Sequence, residues 1–134
     1  MVLSQVGKLG LADRFEYVGE PDLVGKVAFL QGLSVFCLPT KLFETRGLAV
    51  MEALAARVPV VVPRLGCFPE LLEAAPGGIM YPPGDCGYLA STLEEILAGA
   101  DEADAIGKDG AAGIEQNFTA ALMAERFEQA LESC

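Results

Sequence analysis

The run Val58-Pro59-Val60-Val61-Val62-Pro63 constrains the fold more than any other segment. It is strand-sized, carries four valines and offers no polar side chain, so neither of its faces can be left in water. A strand of an antiparallel sheet with one wet face would alternate apolar and polar residues. A strand apolar on both faces belongs in a parallel sheet covered by helices on either side, which makes the expected class α/β. The run is also far short of the roughly 18 apolar residues needed to span a bilayer.

Around this run the chain alternates strand and helix patterns. Phe15-Glu16-Tyr17-Val18-Gly19 precedes a helical pattern over 22–32, Val35 to Pro39 one over 47–57, Val58 to Pro63 one over 68–75, and Gly78 to Tyr81 one over 85–97. Asp22 and Asp85 stand as N-caps. Pro39, Pro63 and Pro82-Pro83 close strands at their carboxyl ends, where ligands of such sheets sit. The 134 residues form a single domain, with βα units over 1–100 and a helical tail over 101–134. In the tail, Leu122, Phe127 and Leu131 fall on one side with Ala124 and Ala130, and Glu125, Glu128 and Glu132 mostly on the other. Gly107, Gly110 and Gly113 weaken the helix before it, each by about 0.8–1 kcal/mol relative to Ala, and predict a soft, solvent-facing segment.

Composition narrows the function. With 52 % apolar and 21 % charged residues and a mean hydropathy of +0.40, the chain is too apolar to be disordered. A net charge of −10 and a pI near 4.3 argue against a nucleic acid polymer as partner. Charge is uneven, however. Between residues 41 and 69, Lys41, Arg46, Arg57 and Arg64 oppose Glu44 and Glu52, a net of +2, which leaves −12 on the rest and makes a window suited to a small anion. There is no His, and Cys37, Cys67, Cys86 and Cys134 form no C-x-x-C pair, so no metal site or disulfide framework is expected and the thiols read as reduced and mostly buried. The Asn117-Phe118-Thr119 sequon has no secretory context, and a soluble cytoplasmic protein is expected.

The segment from Phe43 to Ala56 carries the chemistry. Glu44 lies in a loop after a strand, Gly47 opens a helix and Glu52 falls inside it. A helix N-terminus offers free N–H groups and about half a positive charge, which suits a phosphate, and Gly47 allows close backbone approach. Glu44 stands where it can accept hydrogen bonds from sugar hydroxyls. Glu52, flanked by Val50, Met51, Ala53 and Leu54, is expected to be largely buried and to need partners. Three readings are open to it: a solvated Glu on an exposed stripe, a pairing with Arg57 or Lys41, or a bidentate acceptor for the vicinal hydroxyls of a ribose.

From Gly10 to about Met123 the chain resembles the C-terminal half of retaining GT-B glycosyltransferases of the family 4-like group 1, which use nucleotide sugars. The resemblance is carried by Phe15 to Gly19, Val35 to Thr40, the E-x7-E pair Glu44 and Glu52, Val58 to Val61, Gly66-Cys67-Phe68-Pro69-Glu70, and Tyr81 to Asp85. It implies a Rossmann-like parallel sheet and a nucleotide diphosphate sugar as donor, with no obligatory metal or other cofactor. It also implies roles: Glu44, Thr45, Arg46, Gly47 and Leu48 at the donor sugar and diphosphate, Glu52 at the ribose, and Gly19, Glu20 and Pro21 beside the nucleobase, with no catalytic residue assigned. The Gly66 to Glu70 loop is expected to pack beside the site.

The chain departs from the family pattern at Arg46, where an aromatic is common, at Arg57, where Gly often precedes V-P-V, and at Cys67, which replaces a glycine. Arg46 is left open between donor, acceptor and Glu44. The larger departure is in extent. The resemblance implies that the first two, central strands of the domain, a cationic diphosphate clamp and an N-terminal domain lie outside these residues. The expectation is a partial domain that retains half of a donor site and is catalytically inert alone, whose bare strand edges invite the N-terminal domain, a second chain or strand-mediated homo-oligomers.

Overall fold

The computed structural model describes residues 2–133. Among the described residues seven helices and three strands follow one another as α1 (Val2–Lys8), α2 (Leu23–Gln31), β1 (Phe36–Cys37), α3 (Leu48–Ala55), β2 (Val60–Pro63), α4 (Phe68–Ala74), β3 (Gly78–Tyr81), α5 (Cys86–Ala98), α6 (Ala100–Asn117) and α7 (Ala120–Glu132), with a 3-10 turn at Ala12–Arg14. The sheet is parallel in the order β1-β2-β3, with Phe36 opposite Val60 and Val61 opposite Ile79. The α/β expectation holds, and the strand expected within Val58 to Pro63, buried on both faces, is Val60–Pro63, between β1 and β3.

The valines divide between two faces as a period of two requires. Val60 and Val62 join Leu30, Val50, Leu54, Phe68 and Leu72 in the larger core, beneath α2, α3 and α4. Val61 points the other way, to Tyr81 and Ile96, where α5 covers the sheet. The caps fall as expected: the Asp22 carboxylate accepts from Gly25 N–H at 2.8 Å and the Asp85 carboxylate from Tyr88 N–H at 2.8 Å. Among the described residues no helix is long and apolar enough to cross a membrane.

Three expectations are corrected. Residues 15–19 form no strand; Phe15, Tyr17 and Val18 are exposed, because a strand exists through its ladder and no neighbouring strand reaches this segment. Gly107, Gly110 and Gly113 do not soften the tail. They are buried within the continuous helix α6, where their missing side chains let α6 lie against the backbone of Arg57, Gly77 and Ala75. Asn117 ends this helix with its amide donating to Ala74 O and Gly113 O, both at 3.0 Å. The thiols are also less buried than expected: Cys37 and Cys67 are partly buried, Cys86 is exposed, and Cys134 lies outside the described residues.

The tail helix α7 is amphipathic, but none of its residues is fully buried. Leu122 of its apolar stripe is half-buried, whereas Phe127 and Leu131 stay more than half exposed.

Candidate functional site

The loops leaving the carboxyl ends of β1 and β2 meet around Glu44. Its Oε1 accepts from the N–H groups of Thr45, Arg46 and Gly47, at 3.0, 3.0 and 3.1 Å. These bonds, with Arg46 N–H foremost, hold the Glu44 carboxyl below its ordinary pKa despite a smaller opposing effect of burial. From behind, the Glu44 carbonyl accepts from Cys67 N–H at 2.9 Å, and Gly66, at φ +60°, leaves room for the Glu44 backbone that a Cβ would occupy. The loop from Gly66 thus packs beside the site as expected, and Pro69 and Glu70 take the helix-start positions of α4.

Gly47 closes this loop and caps α3 at φ +67°, a left-handed conformation that disfavours any Cβ. It is buried, and a side chain there would meet Cys67, Leu71 and Phe68. Its glycine requirement therefore comes from packing on α4 as well as from backbone sign. The first bond of α3 runs from Met51 N–H to Gly47 O at 2.9 Å, which leaves the N–H groups of Leu48, Ala49 and Val50 ahead of the intrahelical ladder. The Phe43, Glu44, Thr45, Gly66, Cys67 and Glu70 side of this terminus is an open depression of about 410 Å³.

Glu52 lies about 7–8 Å further along α3, at 1.5 Å per residue from Gly47. Contrary to expectation it is not largely buried: Val50, Ala53 and Leu54 take the core face and Glu52 the outer one, with its side chain 45 % exposed. Its partner is neither Arg57 nor Lys41 but Lys26 of α2, whose Nζ donates to Glu52 Oε1 at 2.7 Å. The pair borders an apolar groove of about 510 Å³ that also contains Val18, Gly19, Pro21, Phe36 and Ala49. Gly19 and Pro21 are thus brought to Glu52, while Glu20 does not line the groove.

The cationic window does not form one patch. Arg57 sits past the far end of α3, beside Ser34 and Asp104, whereas Lys41, Arg46 and Arg64 are exposed on the loops at the carboxyl ends of the strands. Arg46 contributes its N–H to Glu44, and among the described residues the ion pairs are Lys26–Glu52 and Lys108–Asp104. Lys26 escaped the sequence reading. The available signal was that it is the one cation between residues 15 and 40, one turn after a capping Asp.

Comparison with known proteins agrees with this layout. Residues 2–112 match the model of the glycosyl transferases group 1 family. Over 94 residues the chain is 35 % identical to phosphatidyl-myo-inositol mannosyltransferase of Mycobacterium leprae, which covers 70 % of this chain and 25 % of that protein. Over 127 residues it is 25 % identical to N-acetyl-alpha-D-glucosaminyl L-malate synthase of Bacillus anthracis, covering 95 % of this chain and 32 % of that one. In structure it is similar to sucrose-phosphate synthase of Thermosynechococcus elongatus, with a TM-score of 0.86 and 26 % identity over 99 % of this chain and 34 % of the other. It shares its fold with Anabaena HepE, solved in complex with UDP, at a TM-score of 0.89 and 22 % identity over 99 % of this chain and 36 % of that one. The chain therefore spans between a quarter and about a third of the length of these proteins. With the parallel sheet, the ordered motif blocks and a family match over most of its length, the chain belongs to the glycosyl transferases group 1 family, in the GT-B fold.

Proposed function

We propose that this chain is the C-terminal, nucleotide-sugar-binding portion of a retaining glycosyltransferase, which moves a glycosyl unit from a nucleotide diphosphate sugar to an acceptor, and that the 134 residues alone are catalytically inert. One observation carries the proposal: the Glu44 loop and the free N–H groups of α3 lie at one end of a helix whose next turn presents Glu52 to a groove bordered by Gly19 and Pro21. Those parts suit the diphosphate, the ribose and the base in that order. The N–H groups of Leu48, Ala49 and Val50, at the positive end of α3, would stabilise charge on the departing diphosphate. The three hydrogen bonds to Glu44 all fall on Oε1, so among the described residues Oε2 stays free to take a sugar hydroxyl, with Thr45, Arg46 and Leu48 bordering the same position. Glu52 would accept ribose hydroxyls.

Two features of the fold support inertness. No side chain at the site is a ready general base, and among the described residues the outer edge of β1 has no strand beside it to carry a cationic clamp. The share of the relatives' length that this chain spans leaves room for such a clamp and for an acceptor-binding domain elsewhere in a longer protein or on a second chain.

Titration of the purified chain with UDP and GDP tests the binding claim: one of them saturates a single site, and Glu52→Ala weakens it several-fold. Turnover of a nucleotide sugar above background by the same chain would overturn inertness. A second reading, a non-enzymatic interaction module on this fold, is favoured by the exposed Leu23, Val24 and Val27 of α2. It predicts a defined protein partner and no nucleotide binding.

A further inference from the structure

The Lys26–Glu52 pair joins two elements that have little other polar reason to meet. Lys26 and Glu52 are 26 residues apart, on α2 and α3, yet Nζ and Oε1 stand at 2.7 Å. Their side chains are 38 % and 45 % exposed, and an ion pair so open to water adds little to stability. Its geometry is nevertheless well determined from below. Asp22 caps α2 through Gly25 N–H at 2.8 Å, and Lys26 N–H donates to Asp22 O at 2.8 Å. One turn later on the same face, Leu30 is buried in the core and fixes the rotation of α2. On the other side, Val50, Ala53 and Leu54, all fully buried, fix the rotation of α3. Two helices anchored in the same core thus present an ammonium and a carboxylate to each other at the rim.

The pair also stands on a divide. Lys26 and Glu52 both border the groove that holds Gly19, Pro21 and Phe36, and both border a second groove of about 530 Å³ formed with Leu23, Val27 and Ala55. A Glu52 side chain freed from Lys26 could swing from one groove to the other. With Oε1 engaged, the carboxylate is confined between them and Oε2 is the oxygen left for a ligand.

We propose that Lys26 is a positioning residue: it holds one oxygen of Glu52 so that the other meets a hydroxyl of a ribose lying in the Gly19–Pro21 groove. This inference rests on the reading of Glu52 as the ribose acceptor. Lys26 itself touches no sugar in this arrangement. Its contribution is to remove the rotamer freedom that Glu52 would otherwise lose on binding, the usual way a preorganised acceptor gains discrimination. Lys26 should therefore matter for a nucleotide with the hydroxyl and not for one without it.

The test is the ratio of dissociation constants for a nucleoside diphosphate and its 2′-deoxy counterpart, measured by ligand-observed NMR on the full 134-residue chain. UDP and GDP are the probes, and the tighter of the two is carried forward. The unaltered chain is expected to prefer the ribo form by about tenfold, as one hydrogen bond to a charged acceptor allows. Lys26→Met should bring the ratio below about threefold while the deoxy form binds as before, and Lys26→Arg should restore it. An unchanged ratio in Lys26→Met would overturn the proposal. Equal weakening of both forms would overturn it as well, since that is what general damage to α2 produces. Failure of the reading beneath it looks different: neither nucleotide binds, or Glu52→Ala leaves the ratio of the unaltered chain intact, and the positioning role falls with it.

Discussion

Gly107 of α6 rests directly on the carbonyl oxygen of Arg57, and Arg57 itself stands at φ +63°, among the described residues the one non-glycine with a positive φ. The turn after α3 needs a left-handed residue to reverse into β2, with Arg57 N–H donating to Leu54 O at 2.9 Å and Val58 N–H to Ala53 O at 3.0 Å. The family pattern often places Gly there, and the backbone explains why.

Replacing Arg57 by Gly is therefore expected to stabilise the chain. Relief of the left-handed penalty, about 1–2 kcal/mol, outweighs the added chain entropy of Gly, about 0.5–1 kcal/mol. A rise in melting temperature of roughly 2–4 °C checks it, and a fall would contradict it.

The opposite holds for Gly110→Ala. In an ordinary helix Ala would gain about 1 kcal/mol. Here its Cβ would stand 2.6 Å from Gly77 Cα and 2.7 Å from Leu54 Cδ2, so α6 must move off the sheet. A net loss of about 2 kcal/mol in chemical denaturation is expected, as for other overpacked sites.

Glu44 sets an acid-side dependence. Its pKa is held down in the folded chain, so its contribution is present above the unfolded value and is lost as pH falls through the folded one. The melting temperature of Glu44→Gln should lie below that of the unaltered chain at neutral pH, and the gap should close in acid, below the ordinary carboxylate range. A gap independent of pH would contradict the capping role.

Thiol chemistry reports the same loop. Burial, then Glu44, then Glu70 push the Cys67 thiol up, while Cys86 is exposed. Alkylation followed by mass spectrometry should label Cys86 faster than Cys67, and Glu44→Gln should speed Cys67 by removing a neighbouring charge.

What could be read from sequence followed from how local each cause is. The valines of β2 announce two buried faces within six residues, and Asp22 and Asp85 cap helices three residues away. Glu44 and Gly47 were legible because a loop and a helix start lie within four residues. The errors have distant causes. Phe15 to Gly19 has strand composition, but pairing depends on a neighbour that is not beside it. Gly107, Gly110 and Gly113 look destabilising by local propensity, and become necessary only because Arg57, Gly77 and Ala75 approach them. Glu52 lies on an exposed face, one of the readings its sequence leaves open, but its partner Lys26 is distant in the chain and reaches it only through the packing of α2 on α3.

The most direct test of the donor-site account is a map of backbone amide shifts in the 134-residue chain on adding UDP and, separately, GDP. One of them should move the amides of residues 44–52 and of Gly19 in a saturable way, and leave those of Gly107 to Gly113 and of α7 in place. Saturable shifts confined to α7, or no saturable shift with either nucleotide, would contradict it.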